Sequence, residues 1–452
     1  MKYLWLWWNK DDLRTERQQL TEEGRDITTL EPEFERLLAD DVPEDDRFQT
    51  AMNALLDQAR LLPMRTDYCY IEPSDLDSIR ALRVEGPRTL DVSTDETTLR
   101  DHIAGAWLGR CAGCLLGKPI EGILSKRLQM LLERARCKEI PDYVWRLPGL
   151  DEQDYRELDF ANLLRFRSID SMPGDDDTDY TVMALAMVKQ KGGAFTPSDM
   201  ADFWLENIPI LRTCTAERVA YRNFTVTIEP PLSAVIRNPY REWIGARIRA
   251  DFFGYIALGR PELAAELAWR DASISHVKNG IYCAMWTAAM LAAAISQTDI
   301  RRLIEIGLGE IPAQSRLFEA ITEMLDRHAA GDSYTDMVQY IHQRWDETRS
   351  HHWCHSIANA QIVAIGLLYS DGDYEKAVTR AVLPCFDTDC NGATVGSIMG
   401  MMLGAKALPE KWTAVMNDTI QTDIQGYQIT HISMLAEETF QIQQGIENER
   451  GS

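Results

Sequence analysis

Gly105-Ala106-Trp107-Leu108-Gly109-Arg110-Cys111-Ala112-Gly113-Cys114-Leu115-Leu116-Gly117 carries a glycine at every fourth position. In a helix that spacing sets all four on one face. Each glycine costs about 1 kcal/mol relative to alanine in a helix interior, and close approach of another helix is the simplest compensation. A second run, Gly392, Gly396, Gly400 and Gly404, repeats the spacing. Two tightly packed central helices are expected, with a site at one end of the bundle. Cys111 and Cys114 form a CxxC pair inside the first run. Their glycine-rich flanks read as a buried small-residue face rather than a redox or metal pair.

Helical periodicity marks 178–189, 261–269, 281–295, 357–369 and 391–405. Few stretches alternate with period two, and hairpin signals are nearly absent. The fold class is read as all-α, a compact multi-helix bundle. The first 95 residues are acidic and helix-prone and are broken by Gly86-Pro87. Ser93 to Glu96 reads as a capping box opening a helix that runs through Gly117. The chain therefore divides into an N-terminal helical extension, 1–95, and a main domain, 96–452. The opening MKYLWLWWNKDD has only six apolar residues before acidic chain and no small-residue cleavage site, so it does not read as a signal peptide. The longest apolar stretch, 281–295, is about 15 residues and too short to span a bilayer.

The 452 residues include 47 Lys+Arg against 70 Asp+Glu, a formal charge of −23. Such a charge argues against generic binding to nucleic acid or to an anionic membrane. Any anionic substrate has to be met by local cations or by bound metal. Nine cysteines, an odd number without paired CxxC units, point to reduced thiols and a cytoplasmic location.

Two acidic clusters carry the chemistry. In Asp175-Asp176-Asp177-Thr178-Asp179, four acids crowd the start of an apolar helix. A helix cap explains one or two of them. Two such charges about 5 Å apart repel by about 3 kcal/mol at an effective dielectric near 20, so burial of the cluster demands a cation. An EF-hand is a poor match, since Tyr180 stands where that loop needs glycine. The second cluster, Asp387-Thr388-Asp389-Cys390-Asn391, precedes the second glycine run. Alone it reads equally well as a pair of helix caps. Together the two clusters suggest a hard-cation site for Mg²⁺ or Mn²⁺ built from oxygen ligands on separate helices.

The order Gly105 to Gly109, Gly113 to Gly122, Thr178-Asp179-Tyr180-Thr181-Val182-Met183, Ser275-His276 and Asp387-Thr388-Asp389 with its glycine helix resembles the ADP-ribosylglycohydrolase family. That family includes the enzyme that reactivates dinitrogenase reductase and the ADP-ribosyl-acceptor hydrolases. The resemblance covers roughly residues 98–410. It implies an all-α fold with two Mg²⁺ ions in a central cleft and hydrolysis of a glycosidic bond at the anomeric carbon of a ribose. Matched in register, it implies Thr178, Asp179, Asp387 and Asp389 as metal ligands, with Tyr180 in place of a second aspartate and Cys390 in place of a threonine. Asp176 and Asp177 then restore the lost carboxylate, and Asn391 restores an oxygen. Glu121 falls on the family's mobile-loop glutamate and, with Asp177 and Asp179, carries the catalytic role. A carboxylate there takes a proton from the attacking water. His276 matches a family histidine near the site, and a structural hydrogen-bonding role fits it equally.

Gly245 to Gly254, including Arg249 and Asp251, resembles the stretch that wraps the diphosphate in the family. Here Trp243-Ile244 replaces Asn-Gly and Asp251 adds a negative charge, both of which hinder a backbone cradle for phosphates. The leading expectation is a Mg²⁺-dependent hydrolase of an ADP-ribosyl group on a protein or a small molecule. A hydrolase of a smaller N-ribosyl or nucleoside-like metabolite is one rival, and a non-catalytic, metal-dependent ADP-ribose-binding module is the other.

Overall fold

The computed structural model describes residues 7–92 and 95–451. Helices dominate it. Each periodic segment forms one, at bounds shifted by a few residues: Asp176–Lys191, Pro261–Ala272, Lys278–Ala294, Ser356–Leu368 and Thr388–Leu403. The first glycine helix runs Glu96–Gly117. Ser93, read as its cap, lies outside the described residues. The cap is instead Asp95, whose side chain accepts from the Thr98 N–H.

The two glycine helices lie antiparallel and in backbone contact. A Cβ built on Gly105, Gly109 or Gly113 would overlap the carbonyl oxygen of Gly400, Gly396 or Gly392 respectively. The contact is reciprocal, and at its far end Gly117 meets Thr388, whose hydroxyl donates to the Gly117 carbonyl at 2.9 Å. The second glycine helix is buried along nearly its whole length and the first mostly from Ile103 onward, and the alanine-rich helix Lys278–Ala294 is buried at almost every position. Both observations fit helices surrounded by other helices.

Among the described residues the only sheet is a two-stranded antiparallel pair, Thr419–Gln421 with Ile429–His431. It matters beyond its size. Met172 donates to Thr419 at 2.8 Å and accepts from Gln421 at 2.9 Å, which fixes the chain just before the first aspartate cluster. The segment 123–172 forms short helices, among them Ser125–Arg134 and Glu152–Glu157. It is anchored by Tyr143, which stacks on Trp145 and donates to the Trp412 carbonyl.

The N-terminal helices Lys10–Glu22, Glu31–Leu38, Asp46–Ala59 and Leu76–Ala81 are tied to the rest by buried polar groups. Arg241 reaches Glu16 at 2.7 Å and Glu23 at 3.0 Å, and Gln19 donates to Glu242 at 2.7 Å. No helix among the described residues is long and apolar enough to cross a membrane.

Candidate active site

The antiparallel glycine contact brings the C-terminal end of one helix and the N-terminal end of the other to the same place. A 3₁₀ turn, Lys118–Ile120, follows Gly117 and delivers Lys118 and Glu121. Asp387 arrives through a sharp turn in which Cys385 and Phe386 both take left-handed backbone, φ 64° and 60°. Strain of this kind collects at functional sites. The third contributor is the start of Asp176–Lys191. Arg110, fully buried on the first glycine helix, donates to the Asp177 carbonyl from Nη2 at 2.6 Å and pairs with Asp251 at 2.8 Å.

A cleft of about 500 Å³ results, lined by Lys118, Glu121, Asp175, Asp176, Asp179, Asp387 and Asp389, with Trp243, Trp353 and Cys354 in its wall. Asp387 stands at the helix N-cap position yet makes no capping hydrogen bond. Its Oδ2 accepts from the Cys354 thiol at 3.6 Å instead. Asp177 is buried, and neither of its carboxylate oxygens has a hydrogen-bond partner among the described residues. Oxygens of Asp177 and Asp389 and the Cys390 sulfur lie within 4.8 Å of one another, and so do those of Asp175, Asp177 and Cys114.

The electrostatics express an excess of negative charge. Burial and the neighbouring Asp175 push the Asp389 carboxyl up to about 6 and that of Asp176 to about 7. Burial raises Asp179 to about 8, and Asp177 and Asp387 also stand well above the carboxylate range. Glu121, at the exposed mouth, is pushed up to about 9, first by the charge of Asp389 and then by desolvation. Against these acids stands Lys118, 2.6 Å from Asp175. Buried carboxylate oxygens without hydrogen bonds, in an oxygen-rich set where Asp177 has only the 3.6 Å ion pair with Arg110, fit a hard divalent cation. The two sulfurs fit it poorly, because burial holds the Cys114 and Cys390 thiols protonated.

The structure rearranges the expected site. Thr178 does not line the cleft; its hydroxyl donates to the Asp175 carbonyl at 3.1 Å. Tyr180, standing for the family's second aspartate, turns its ring against Trp204 at 5.5 Å in the layer behind. Asp175, absent from the expected set, is the helix N-cap and lines the cleft. Asn391 is engaged elsewhere: its Oδ1 accepts from Arg247 and its Nδ2 donates to Asn359, both at 2.8 Å.

Three residues expected at the substrate sit behind the wall. Arg249 is fully buried and bound to Glu217, to Asp271 at 2.6 Å and to Ser275 at 2.9 Å. Asp251 faces Arg110 rather than the cleft, so it cannot repel phosphates there. His276 is buried, lies 2.8 Å from the Ser275 hydroxyl, and is kept neutral by burial and by Arg249. Gly245 does line the cleft. Its lack of a side chain leaves room for the Glu217 carboxylate, which a Cβ would overlap. Glu217 itself was not legible, because a single glutamate in an amphipathic helix gives no signal. Asp175 did give one, as an acid before a helix start.

Residues 95–447 match the ADP-ribosylglycohydrolase family. A solved structure described as an ADP-ribosylglycohydrolase-related protein complex is similar to the chain at 18% identity, covering 77% of this chain and 99% of that one with a TM-score of 0.45. No curated protein matches the chain.

Proposed function

The chain belongs to the ADP-ribosylglycohydrolase family, and from that premise we propose that it is a divalent-metal-dependent hydrolase of the glycosidic bond at a ribose anomeric carbon. The observation that carries the reading is the buried Asp177, whose carboxylate oxygens accept no hydrogen bond and are met only by Arg110 at 3.6 Å, set among Asp175, Asp176, Asp387 and Asp389 where three helix ends meet. Asp175, Asp176, Asp177, Asp179, Asp387 and Asp389 would hold Mg²⁺ or Mn²⁺. When bound, such a cation supplies charge compensation and Lewis-acid polarisation. Lys118 holds Asp175, and Arg110 fixes the Asp177 backbone, so both position the acids. Glu121, at the cleft mouth, would take the proton of the water that attacks the oxocarbenium-like carbon in its ionised form, which its raised pKa permits only when the surrounding negative charge is offset. Residues 96–452 form the catalytic domain in this proposal, and 1–95 the extension.

The family's default substrate is an ADP-ribosyl group on a protein or a small molecule. One observation favours a smaller, less charged ribosyl compound. Among the described lining residues only two are cationic, Lys118 and Arg212, against eight carboxylates, so the cleft lining is strongly negative. Arg247 and Arg249 are turned inward, toward Asn391 and Asp271, and do not line the cleft. Trp243 and Trp353 offer flat apolar surface to a base or ring.

A turnover screen of ADP-ribosylated arginine, ADP-ribosylated serine and simple nucleosides, with and without Mg²⁺ or Mn²⁺, tests the proposal. Metal-dependent cleavage of nucleosides in preference to the ADP-ribosyl compounds is the expected result. Preference for an ADP-ribosyl compound restores the family default. Metal-dependent binding of ADP-ribose without turnover of any compound leaves the binding-module reading instead.

A further inference from the structure

A second cavity, of about 200 Å³, opens at the junction of the N-terminal helices with the rest of the chain. Five cations line it: Arg25 and Arg60 from the first sixty residues, and Arg237, Arg241 and Lys278 from beyond. Three of them share one carboxylate. Arg241 donates to Glu23 from Nε and Nη2 at 3.2 and 3.0 Å, Arg25 from Nε at 3.3 Å, and Lys278 from Nζ at 3.4 Å. Arg237 is engaged bidentately by Asp57 at 2.9 and 2.6 Å. Arg60 is exposed and acts on Asp57 only through space.

Five cations line the cavity against two lining carboxylates, Glu16 and Glu23, with Asp57 beside Arg237, so positive charge is in surplus there. The surplus is larger near neutrality, because burial pushes the Glu16 carboxyl up to about 7 despite its ion pair with Arg241. In a chain of formal charge −23, this is a local inversion of sign. Guanidinium groups are planar forks that match the oxygens of phosphate, and four of the five cations are arginines. The enclosed volume accommodates a phosphate with a few carbon atoms and excludes a polymer.

We propose that this cavity binds a small polyvalent anion, phosphate or a phosphomonoester, held between the N-terminal helices and the main body. The bound anion bridges Arg25 and Arg60 on one side to Arg237 and Lys278 on the other. It takes up the surplus charge and fastens the extension to its seat.

The test is calorimetric titration of the full chain with inorganic phosphate in metal-free, chelator-containing buffer, so that no cation in the cleft captures the anion. Sodium chloride at matched ionic strength serves as the control. One-site binding at millimolar concentration is expected, weakened about tenfold by Arg60→Ala or Arg25→Gln and unchanged by Lys118→Met, which removes the unrelated cation of the cleft. Arg60 is exposed, so its variant remains informative if Arg25→Gln does not fold. Ribose 5-phosphate in place of phosphate separates the two sources: tighter binding assigns a phosphomonoester, and equal binding assigns the free ion. Heat indistinguishable from the chloride control, or binding abolished by Lys118→Met and kept by Arg60→Ala, overturns the proposal.

Discussion

At the scale of single residues, the acids of the cleft differ in what their loss removes. Asp387 and Asp389 reach it from the start of the second glycine helix, and Asp387 is not used as a cap. Asp387→Ala or Asp389→Ala should therefore leave the helix intact and abolish nearly all turnover together with the metal-induced rise in melting temperature. Turnover kept by either variant contradicts a metal role for these residues. Glu121 stands apart, exposed at the mouth. Glu121→Gln keeps its shape and loses the base, so folding and metal affinity should persist while kcat falls about 10²–10⁴-fold; an unchanged kcat makes it a solvated loop residue. Tyr180 gives the sharpest contrast between sequence and structure. Tyr180→Asp restores the family pattern on paper, yet it places a carboxylate against Trp204 behind the wall. The variant should lose about 2–4 kcal/mol of stability in urea unfolding and gain no metal affinity.

At the scale of elements, the glycine helices are where backbone contact replaces side-chain packing. Gly109 and Gly396 face each other so closely that a methyl group on either meets the other's carbonyl. Gly109→Ala should destabilise the protein by at least about 1–3 kcal/mol, because the neighbour is backbone and cannot turn aside. It should also disturb the cleft, since the same contact sets Gly117 against Thr388. Gly445 is the control. It lies in the helix Ile432–Gly451 with nothing near an added Cβ, so Gly445→Ala should raise stability by about 0.5–1 kcal/mol. Opposite shifts in melting temperature are the expected signature; equal shifts would show that the close contact carries no special cost.

At the scale of the whole molecule, the acidic clusters link stability to pH and to metal. Asp389, Asp176, Asp179 and Glu121 have folded values near 6, 7, 8 and 9, each above its ordinary value of 3.8 or 4.5. Above pH ~4 the unfolded chain releases protons that the folded chain keeps, so the metal-free protein loses stability as pH rises from about 4 to 9. In the proposed site a divalent cation would take the place of those protons. Added Mg²⁺ or Mn²⁺ should therefore raise the melting temperature, and more so at pH 8 than at pH 5. A chelator-treated sample whose melting temperature is flat over this range, or a metal response that does not grow with pH, would contradict the electrostatic account.

The four-residue glycine spacing pointed to the central helix pair, because close approach of another helix compensates glycine in a helix interior. The paired aspartate clusters pointed to a divalent cation, because burying that density of charge is costly without one. Which acids line the cleft was decided by the tertiary structure. Each helical residue turns about 100° from the last, so the helix beginning at Asp176 brings Asp175 into the cleft and turns Thr178 and Tyr180 out of it. The inward burial of Arg249, Asp251 and His276 was decided there as well. Their partners Asp271, Arg110 and Ser275 include residues on separate helices, and local sequence holds no record of an ion pair made across the fold.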